Sequence, residues 1–304
     1  MELPDVHVLV RLGEELRRAQ YRFVTVTPET HRRVLARCSR PVRGLADVFG
    51  WNLPFEETDV PAVIMDLLSE GGLVDVTPAG LVSLVRFASL EGCLYAHSAF
   101  PTDDVDAVFF GPDTYRFARA IRHAARRAKT VVDVGCGTGA GGIVAGSGAE
   151  RIVLADINER ALLFARANAG INGVTNAQLV KSDVLSGVRE TPDLVVANPP
   201  YLLDSRGRTY RDGGGEHGEA LAVRIVEEAV PRLAPGGTLV LYTGSAIVGG
   251  VDTFHKAVAP FLERCCAHVA YEEVDPDVFG EELSLPSYAA VDRIAAVVLE
   301  VTSR

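Results

Sequence analysis

From residue 105 to the end, short apolar runs alternate with stretches of helical spacing. Residues 130–134, 151–155, 178–181, 194–197 and 238–242 are the runs. Consecutive Val, Leu and Ile, without polar alternation, suit strands covered on both faces. Residues 109–115 lead into a helix ending near Lys129, and a short glycine-rich helix follows residue 134. Further helices fit 158–172 and 219–233. Such alternation predicts an α/β fold with a parallel sheet between helices. Two last strands, near 267–274 and 293–301, have no helix pattern between them and suit an antiparallel edge pair.

The first part of the chain has a different pattern. Leu9, Leu12, Leu16 and Tyr21 fall on one helix face, and residues 31–37 continue as a second helix. Residues 60–68 form a short helix with Pro61 near its start, and Gly71-Gly72 stops it. Two β runs, 73–77 and 81–87, flank the turn Pro78-Ala79-Gly80. Helix followed by hairpin is the order of a winged-helix module, and a small α+β cap fits equally well. The polar stretch Pro101-Thr102-Asp103-Asp104 marks a boundary. It gives a substrate-recognition module at 1–104 and a larger α/β domain at 105–304.

Composition narrows the class. Hydrophobic content of 48% with 23% charged residues belongs to a core-forming protein. Met1-Glu2-Leu3-Pro4-Asp5 lacks the basic-then-apolar pattern of a signal peptide. No apolar run approaches the roughly 18 residues that span a bilayer. The cysteines, Cys38, Cys93, Cys136, Cys265 and Cys266, have neither metal-ligand nor disulfide-framework spacing, so no metal is expected. A reduced, cytoplasmic protein follows. The net charge of −10 argues against broad attachment to nucleic acid. A local exception is the run Arg11, Arg17, Arg18, Arg22, Arg32, Arg33, Arg37, Arg40 and Arg43, set mainly against Glu14, Glu15 and Glu29. It is either a solvated helix face or a contact surface for RNA.

The candidate chemistry lies at strand ends. Val131-Val132-Asp133-Val134-Gly135-Cys136-Gly137-Thr138-Gly139 is a strand running into a glycine-rich turn. Glycines let the backbone approach a ligand closely, and the carboxyl end of a strand is where open α/β sheets bind one. Gly135-x-Gly137-x-x-Ala140 also satisfies the loose dinucleotide pattern. Asp133, two residues before the first glycine, is placed to hold a cationic ligand end. Asp156 ends the next strand, where a carboxylate accepts from ribose hydroxyls. Asp183 follows the third and suits an adenine amino group.

The fourth strand runs into Asn198-Pro199-Pro200-Tyr201. Two prolines stiffen the loop and remove two N–H groups. The platform offers one amide, bare carbonyls and one ring, which suits a planar nitrogen in an amide or aromatic amine. A plain proline-rich turn is the other reading. Beyond it lies a polar, glycine-rich loop long enough to be functional. Its Arg206, Arg208 and Arg211 suit a phosphate or an acidic acceptor.

With Asp133, the glycine turn, Asn-Pro-Pro-Tyr and the terminal strand pair together, residues 105–304 resemble class I S-adenosylmethionine-dependent methyltransferases. Within them the chain looks like the small-domain group of HemK/PrmC-type glutamine N5-methyltransferases and adenine N6- and guanine N2-methyltransferases. The resemblance implies a Rossmann-like seven-stranded methyltransferase sheet with an antiparallel last strand, beside a small N-terminal α+β domain. It implies S-adenosyl-L-methionine as cofactor and S-adenosyl-L-homocysteine as product. Asp133, Gly135, Cys136, Gly137 and Gly139 would line the amino-acid part. Asp156 would bind the ribose, and Ile157, Asp183 and Val184 the adenine. Thr114, in Phe110-Gly111-Pro112-Asp113-Thr114, would close the methionine end. Asn198, Pro199 and Tyr201 would be catalytic, with Asn198 also near the cofactor. Pro200, Tyr201, Arg206 and Arg211 would hold the acceptor. The N-terminal module departs from the helical domain of the HemK/PrmC type. The expected acceptor is an RNA base or a protein glutamine. The alternative is a small metabolite, with the N-terminal module as a lid.

Overall fold

The computed structural model describes residues 5–37, 41–122, 124, 128–265 and 268–304. Met1–Pro4, Cys38, Arg40 and Cys266, all named above, lie outside the described residues. Contacts divide the chain into two units. One gathers Met1–Arg116, Gly137–Ala140 and Glu159–Thr175, and the other Phe117–Cys136, Gly141–Asn158 and Asn176–Arg304. The division therefore follows no single cut of the chain.

In the first unit, α1 (Val6–Arg18) starts at Asp5, whose carboxylate accepts the His7 N–H. Thr27 caps α2 (Pro28–Ala36), which has proline at its first position. Two short helices follow, α3 (Leu45–Phe49) and α4 (Ala62–Glu70). Then come two antiparallel hairpins, β1 (Val74–Thr77) with β2 (Gly80–Ser83), and β3 (Val85–Leu90) with β4 (Cys93–Ser98). The sequence pattern carried the first hairpin and not the second. The core of the unit joins Leu9, Leu12 and Leu16 to Phe49, Phe87 and Leu94, and to Phe164 and Ile171 of the helix Glu159–Ile171. Four arginines of the run pair with acids. Arg11 meets Glu70, Arg18 meets Glu14 and Glu15, and Arg32 and Arg33 both meet Glu29. Arg17 donates to the carbonyls of Ile171 and Gly92.

In chain order, α5 (Pro112–Ile121), β5 (Thr130–Val134), α6 (Ala140–Ala145), β6 (Arg151–Asp156), α7 (Glu159–Ile171), β7 (Ala177–Lys181) and β8 (Leu194–Ala197) follow. After them come α8 (Ala220–Ala229), β9 (Thr238–Val248), β10 (Val251–Asp252), α9 (Thr253–Arg264), β11 (His268–Asp275) and β12 (Arg293–Thr302). The main sheet runs β11-β12-β9-β8-β5-β6-β7, with β10 folded back on β9. Strands β9, β8, β5, β6 and β7 are mutually parallel, and β12 is antiparallel to both β9 and β11. The expected antiparallel last strand is thus present, inserted beside the edge strand β11.

The uninterrupted apolar runs have the expected cause. Val132, Val134, Val195, Ala197, Leu239 and Leu241 face α8 and α9, while Val131, Leu194, Val196 and Val240 lie in a second core with Phe117 and Ile121. Both faces are covered, so neither parity turns polar. Helix α9 was not legible in the sequence because Pro260 interrupts its spacing. Its start is anchored at Asp252, which accepts from the His255 N–H, the Ser245 hydroxyl (2.6 Å) and the Tyr271 hydroxyl (2.7 Å).

Candidate active site

Strands β5, β6, β7 and β8 run parallel, so their carboxyl ends open on one side of the sheet. At the end of β5, Gly135, Gly137 and Gly139 adopt φ of +66°, +53° and +75°. This left-handed region strains any residue with a Cβ. A Cβ added to Gly135 or Gly137 would meet nothing within 4 Å. These glycines therefore serve backbone shape and present bare peptide to open space, as a ligand cradle requires. The Cys136 N–H donates to the Ala155 carbonyl (3.0 Å), tying the turn to β6. The Cys136 thiol is buried, and burial pushes its pKa up, away from nucleophile chemistry.

The Thr138 carbonyl accepts from Asn168 Nδ2 (2.9 Å). Asn168 is fully buried in α7 and also exchanges two bonds with the Ala96 backbone, at 2.7 and 3.0 Å. No motif marked this residue. Its one signal was an amide among Phe164, Ala165 and Ala167 on an apolar helix face.

Asp133 is 2% exposed, and its Oδ2 accepts the Gly142 N–H (2.7 Å) in the first turn of α6. Burial raises its pKa to about 7, the bond from Gly142 opposes the rise, and the Asp156 charge adds to it. Gly141 and Gly142 are required beside it. A Cβ on Gly142 would lie 2.4 Å from Leu154 Cδ2, and one on Gly141 2.5 Å from the Phe117 ring.

At the end of β6, Asp156 Oδ1 accepts the Asn158 N–H (2.9 Å). The next side chain, Ile157, is 57% exposed, a large apolar group at a strand end lined with polar ones. Beyond β7, both Asp183 oxygens accept from the Arg224 guanidinium (2.8 and 2.9 Å), and Arg224 also bonds Glu228. Val184 follows with φ +49°, rare for a β-branched residue. Ser182 holds that turn, donating to the Val184 carbonyl (2.8 Å) and accepting the Gly187 N–H (2.9 Å). Backbone strain of this kind gathers at ligand sites.

At the end of β8, Asn198 is half-buried, and its amide has no hydrogen-bond partner among the described residues. Pro199 is buried and Pro200 half-buried. The Tyr201 ring lies against Gly244 of β9, where a Cβ would come 2.2 Å from Cδ2, and meets Phe279 edge-on with centroids 5.8 Å apart. Its backbone is walled as closely. A Cβ on Gly218 would lie 2.1 Å from the Tyr201 carbonyl oxygen, and one on Gly213 2.7 Å from that of Pro200. The glycine-rich loop holding Gly213 was visible in the sequence, but Gly218 and Gly244 were not singled out.

The following loop closes on itself. The Leu202 N–H donates to the Arg211 carbonyl (3.1 Å) and the Gly213 N–H to the Leu202 carbonyl (2.8 Å). Asp204 takes Arg208 and, at 3.6 Å, Arg211, which also pairs with Glu282. Hydrogen bonds from Arg208 hold the Asp204 carboxyl below its ordinary pKa. The Arg211 charge is thus met inside the protein, whereas Arg206 stands exposed. In the other unit, Thr114 sits in the first turn of α5, its hydroxyl accepting the Gly111 N–H (3.4 Å).

A bare left-handed glycine turn, a carboxylate at the next strand end, an open apolar side chain beside it and a strained third turn lie at the carboxyl ends of β5, β6 and β7, where open α/β sheets bind ligands. Fold and site together define an S-adenosylmethionine-dependent methyltransferase. The profile of the methyltransferase small domain matches residues 114–247. A chain of Methanocaldococcus jannaschii assigned as a protein N5-glutamine methyltransferase is 33% identical over 42% of this chain and 68% of its own length. The release factor glutamine methyltransferase of Deinococcus radiodurans is 33% identical over 46% of this chain and 55% of its own. This chain thus spans little more than half of that second relative. Among solved structures, Trm5b of Pyrococcus abyssi aligns with a TM-score of 0.52 at 14% identity, over 76% of this chain and 62% of that one, a likeness of fold. The chain belongs to the methyltransferase small-domain family. Among the described residues, no helix is long and apolar enough to cross a membrane.

Proposed function

We propose that the chain transfers a methyl group to the side-chain amide nitrogen of a protein glutamine. One observation carries this reading: an unpartnered Asn198 amide at the end of β8, on a proline-stiffened backbone walled by Gly213, Gly218 and Gly244. An amide nitrogen is a poor nucleophile because its lone pair is delocalised. Asn198 Oδ1 and the Pro199 carbonyl accept its two N–H bonds, which stabilises the nitrogen as positive charge develops. Tyr201, packed on Gly244, fixes the height of that platform.

When bound, S-adenosylmethionine supplies a methyl group made electrophilic by sulfonium. Gly135, Gly137 and Gly139 hold its amino-acid part, with Asp133 fixing the start of α6 beneath them. Asp156 takes the ribose hydroxyls. Ile157 and Val184 cover the adenine, and Asp183, oriented by Arg224, accepts from its amino group. In-line displacement then depends mainly on alignment.

Two observations favour a protein over an RNA acceptor. The relatives of M. jannaschii and D. radiodurans carry glutamine methyltransferase names. Some of the arginines that would meet phosphate are paired with acids, at Arg11, Arg18, Arg32 and Arg33 in the N-terminal helices and at Arg208 and Arg211 in the loop. The N-terminal module, residues 1–104, is assigned to acceptor selection.

A methyl-transfer assay with labelled cofactor on total protein, total RNA and a small-molecule extract tests this reading. Label is expected in protein, at glutamine. Label confined to RNA would transfer the same platform to a base amine, and label only in the extract would overturn a macromolecular acceptor.

A further inference from the structure

The N-terminal unit buries a positive charge with no acid to meet it. Arg86 on β3 is 5% exposed. Its Nε donates to the Gly50 carbonyl (2.9 Å), and its Nη2 approaches His31 Nδ1 (3.4 Å). No carboxylate pairs with it among the described residues, and its electrostatic neighbours are Tyr21 and Tyr115. Guanidinium groups are seldom buried without a counter-charge, because desolvation is left uncompensated.

Partnerless atoms gather around this charge. In the β3–β4 hairpin Arg86 stands directly opposite His97, which puts both side chains on one face. His97 is 1% exposed. Its Nδ1 donates to the Ser98 carbonyl (3.1 Å), so the neutral ring leaves Nε2 as a bare lone pair, and that atom is buried without a partner. Thr25 Oγ1 is also buried without a partner, while the Thr25 N–H donates to the hydroxyl of Tyr115 (3.0 Å). His31 is committed, with Nε2 bonded to the Trp51 carbonyl (2.9 Å). Phe100 stacks on His31 at 4.2 Å and Phe110 on His97 at 5.7 Å, closing the cluster with apolar walls. Buried polar groups in folded chains find partners. A guanidinium, an imidazole nitrogen and a hydroxyl left short in one cluster call for a single complementary group.

The geometry points to a carboxylate-binding site formed by Arg86, His97 and Thr25. One carboxylate oxygen accepts from the guanidinium and the other from the Thr25 hydroxyl. His97 takes a proton at Nε2 as the group enters, which turns its lone pair into a third donor. One carboxylate and one proton are taken up, and no covalent bond changes. Among the described residues, the titratable groups around His97 are Arg86 across the hairpin, Tyr95 on its own strand and His31 on α2, with Tyr115 on α5 beside Arg86. None is an acid, so the incoming carboxylate is the only negative charge there. A free small acid and the carboxylate end of an amino acid share this chemistry.

Thermal unfolding of the full chain, with sodium acetate replacing sodium chloride at constant ionic strength, provides the test. The midpoint is expected to rise with acetate in the wild type and not in Arg86→Met. Thr25→Val, which removes the hydroxyl and keeps the side-chain volume, is expected to weaken the apparent affinity roughly tenfold. A rise with L-alanine, lost in Arg86→Met and absent with L-alaninol and with acetate, would assign the site to an amino-acid carboxylate. Calorimetry in two buffers of different ionisation enthalpy should find one proton taken up per carboxylate. If acetate and L-alanine both leave the midpoint unmoved, or move wild type, Arg86→Met and Thr25→Val equally, water satisfies the cluster and the site does not exist. Binding without proton uptake would likewise remove His97 from it.

Discussion

The two halves of the site use glycine, and acid, in opposite ways. On the cofactor side, Gly135 and Gly137 have left-handed backbones, and an added Cβ would point into open space. On the proposed acceptor side, Gly213, Gly218 and Gly244 are pressed against the Pro200–Tyr201 backbone and ring, and an added Cβ would collide at 2.1–2.7 Å. The first set shapes a surface for something that arrives, while the second clamps a platform already present. The acids divide likewise. Asp133 is isolated by burial and its pKa rises to about 7, whereas Asp204 is held low by Arg208. Asp133 is held by exclusion of charge partners and Asp204 by their supply, while Asp183 at the end of β7 is met by Arg224.

The largest expected effect follows from that contrast. The folded-state pKa of Asp133 lies above its unfolded value. Its contribution is therefore fully present below about pH 4 and lost as the pH rises to about 7. Across that window the loss is on the order of 4 kcal/mol. Denaturant unfolding of wild type and Asp133→Asn from pH 4 to 8 should show the wild type losing stability relative to the variant. Asp204 has the opposite sign: its stabilisation is present above its ordinary pKa and lost as the pH falls. Parallel pH profiles for Asp133→Asn and Asp204→Asn would break the comparison.

Next in size is Asn198→Ala. Loss of one preorganised acceptor at the reacting nitrogen should lower kcat by about 10²–10³-fold. Affinity for S-adenosylhomocysteine should stay within about threefold, since the cofactor side is built from other strand ends. A collapse of cofactor affinity with kcat intact would show that the halves are not separable and would move Asn198 to the cofactor side.

The two kinds of glycine can be set against each other directly. Gly244→Ala drives a methyl group into the Tyr201 ring, an overpacking that should cost about 1–3 kcal/mol of stability. It should lower kcat and leave S-adenosylhomocysteine affinity unchanged. Gly137→Ala forces φ +53° on an L residue, costing about 1–2 kcal/mol. Its methyl group enters the cradle, so here cofactor affinity should fall, roughly tenfold. Thermal unfolding and calorimetric titration of both variants check this. Equal affinity losses would erase the distinction.

The same distinction explains what the sequence disclosed. A glycine that shapes an open turn belongs to a local pattern, so Gly135, Gly137 and Gly139 were legible beside Asp133. A glycine that admits a neighbouring ring or carbonyl depends on tertiary contact, and Gly244 sits in an ordinary apolar strand run. Asn168 was silent for the same reason, because its partners, Ala96 and Thr138, lie 72 and 30 residues away. The strand runs of the sheet were plain because burial on both faces leaves no polar interruption. Helix α9 was hidden by Pro260, and β4 by a hairpin whose turn, Glu91-Gly92, follows β3 without a change in composition. The arginine run was visible, and the pairing of Arg32 and Arg33 with Glu29 follows i,i+3 and i,i+4 helix spacing, whereas Arg11 meets Glu70, 59 residues away, only through the tertiary fold.

The smallest expected effect tests the cofactor side at its most exposed point. Ile157 is 57% exposed, so removal of its side chain should change stability by no more than about 0.5 kcal/mol. If its open face covers the adenine, Ile157→Ala forfeits about 1 kcal/mol of apolar contact. That is roughly a fivefold loss in S-adenosylhomocysteine affinity, with a less negative heat-capacity change on binding. Titration calorimetry at several temperatures separates this from a general loss. Solitary exposed apolar side chains are common and need no purpose. An unchanged affinity would place Ile157 among them and leave the adenine to Val184 and Asp183. A loss confined to the adenine-bearing ligand, with L-methionine as comparison, would put an apolar wall opposite the bare glycine turn and complete the contrast with the clamped acceptor side.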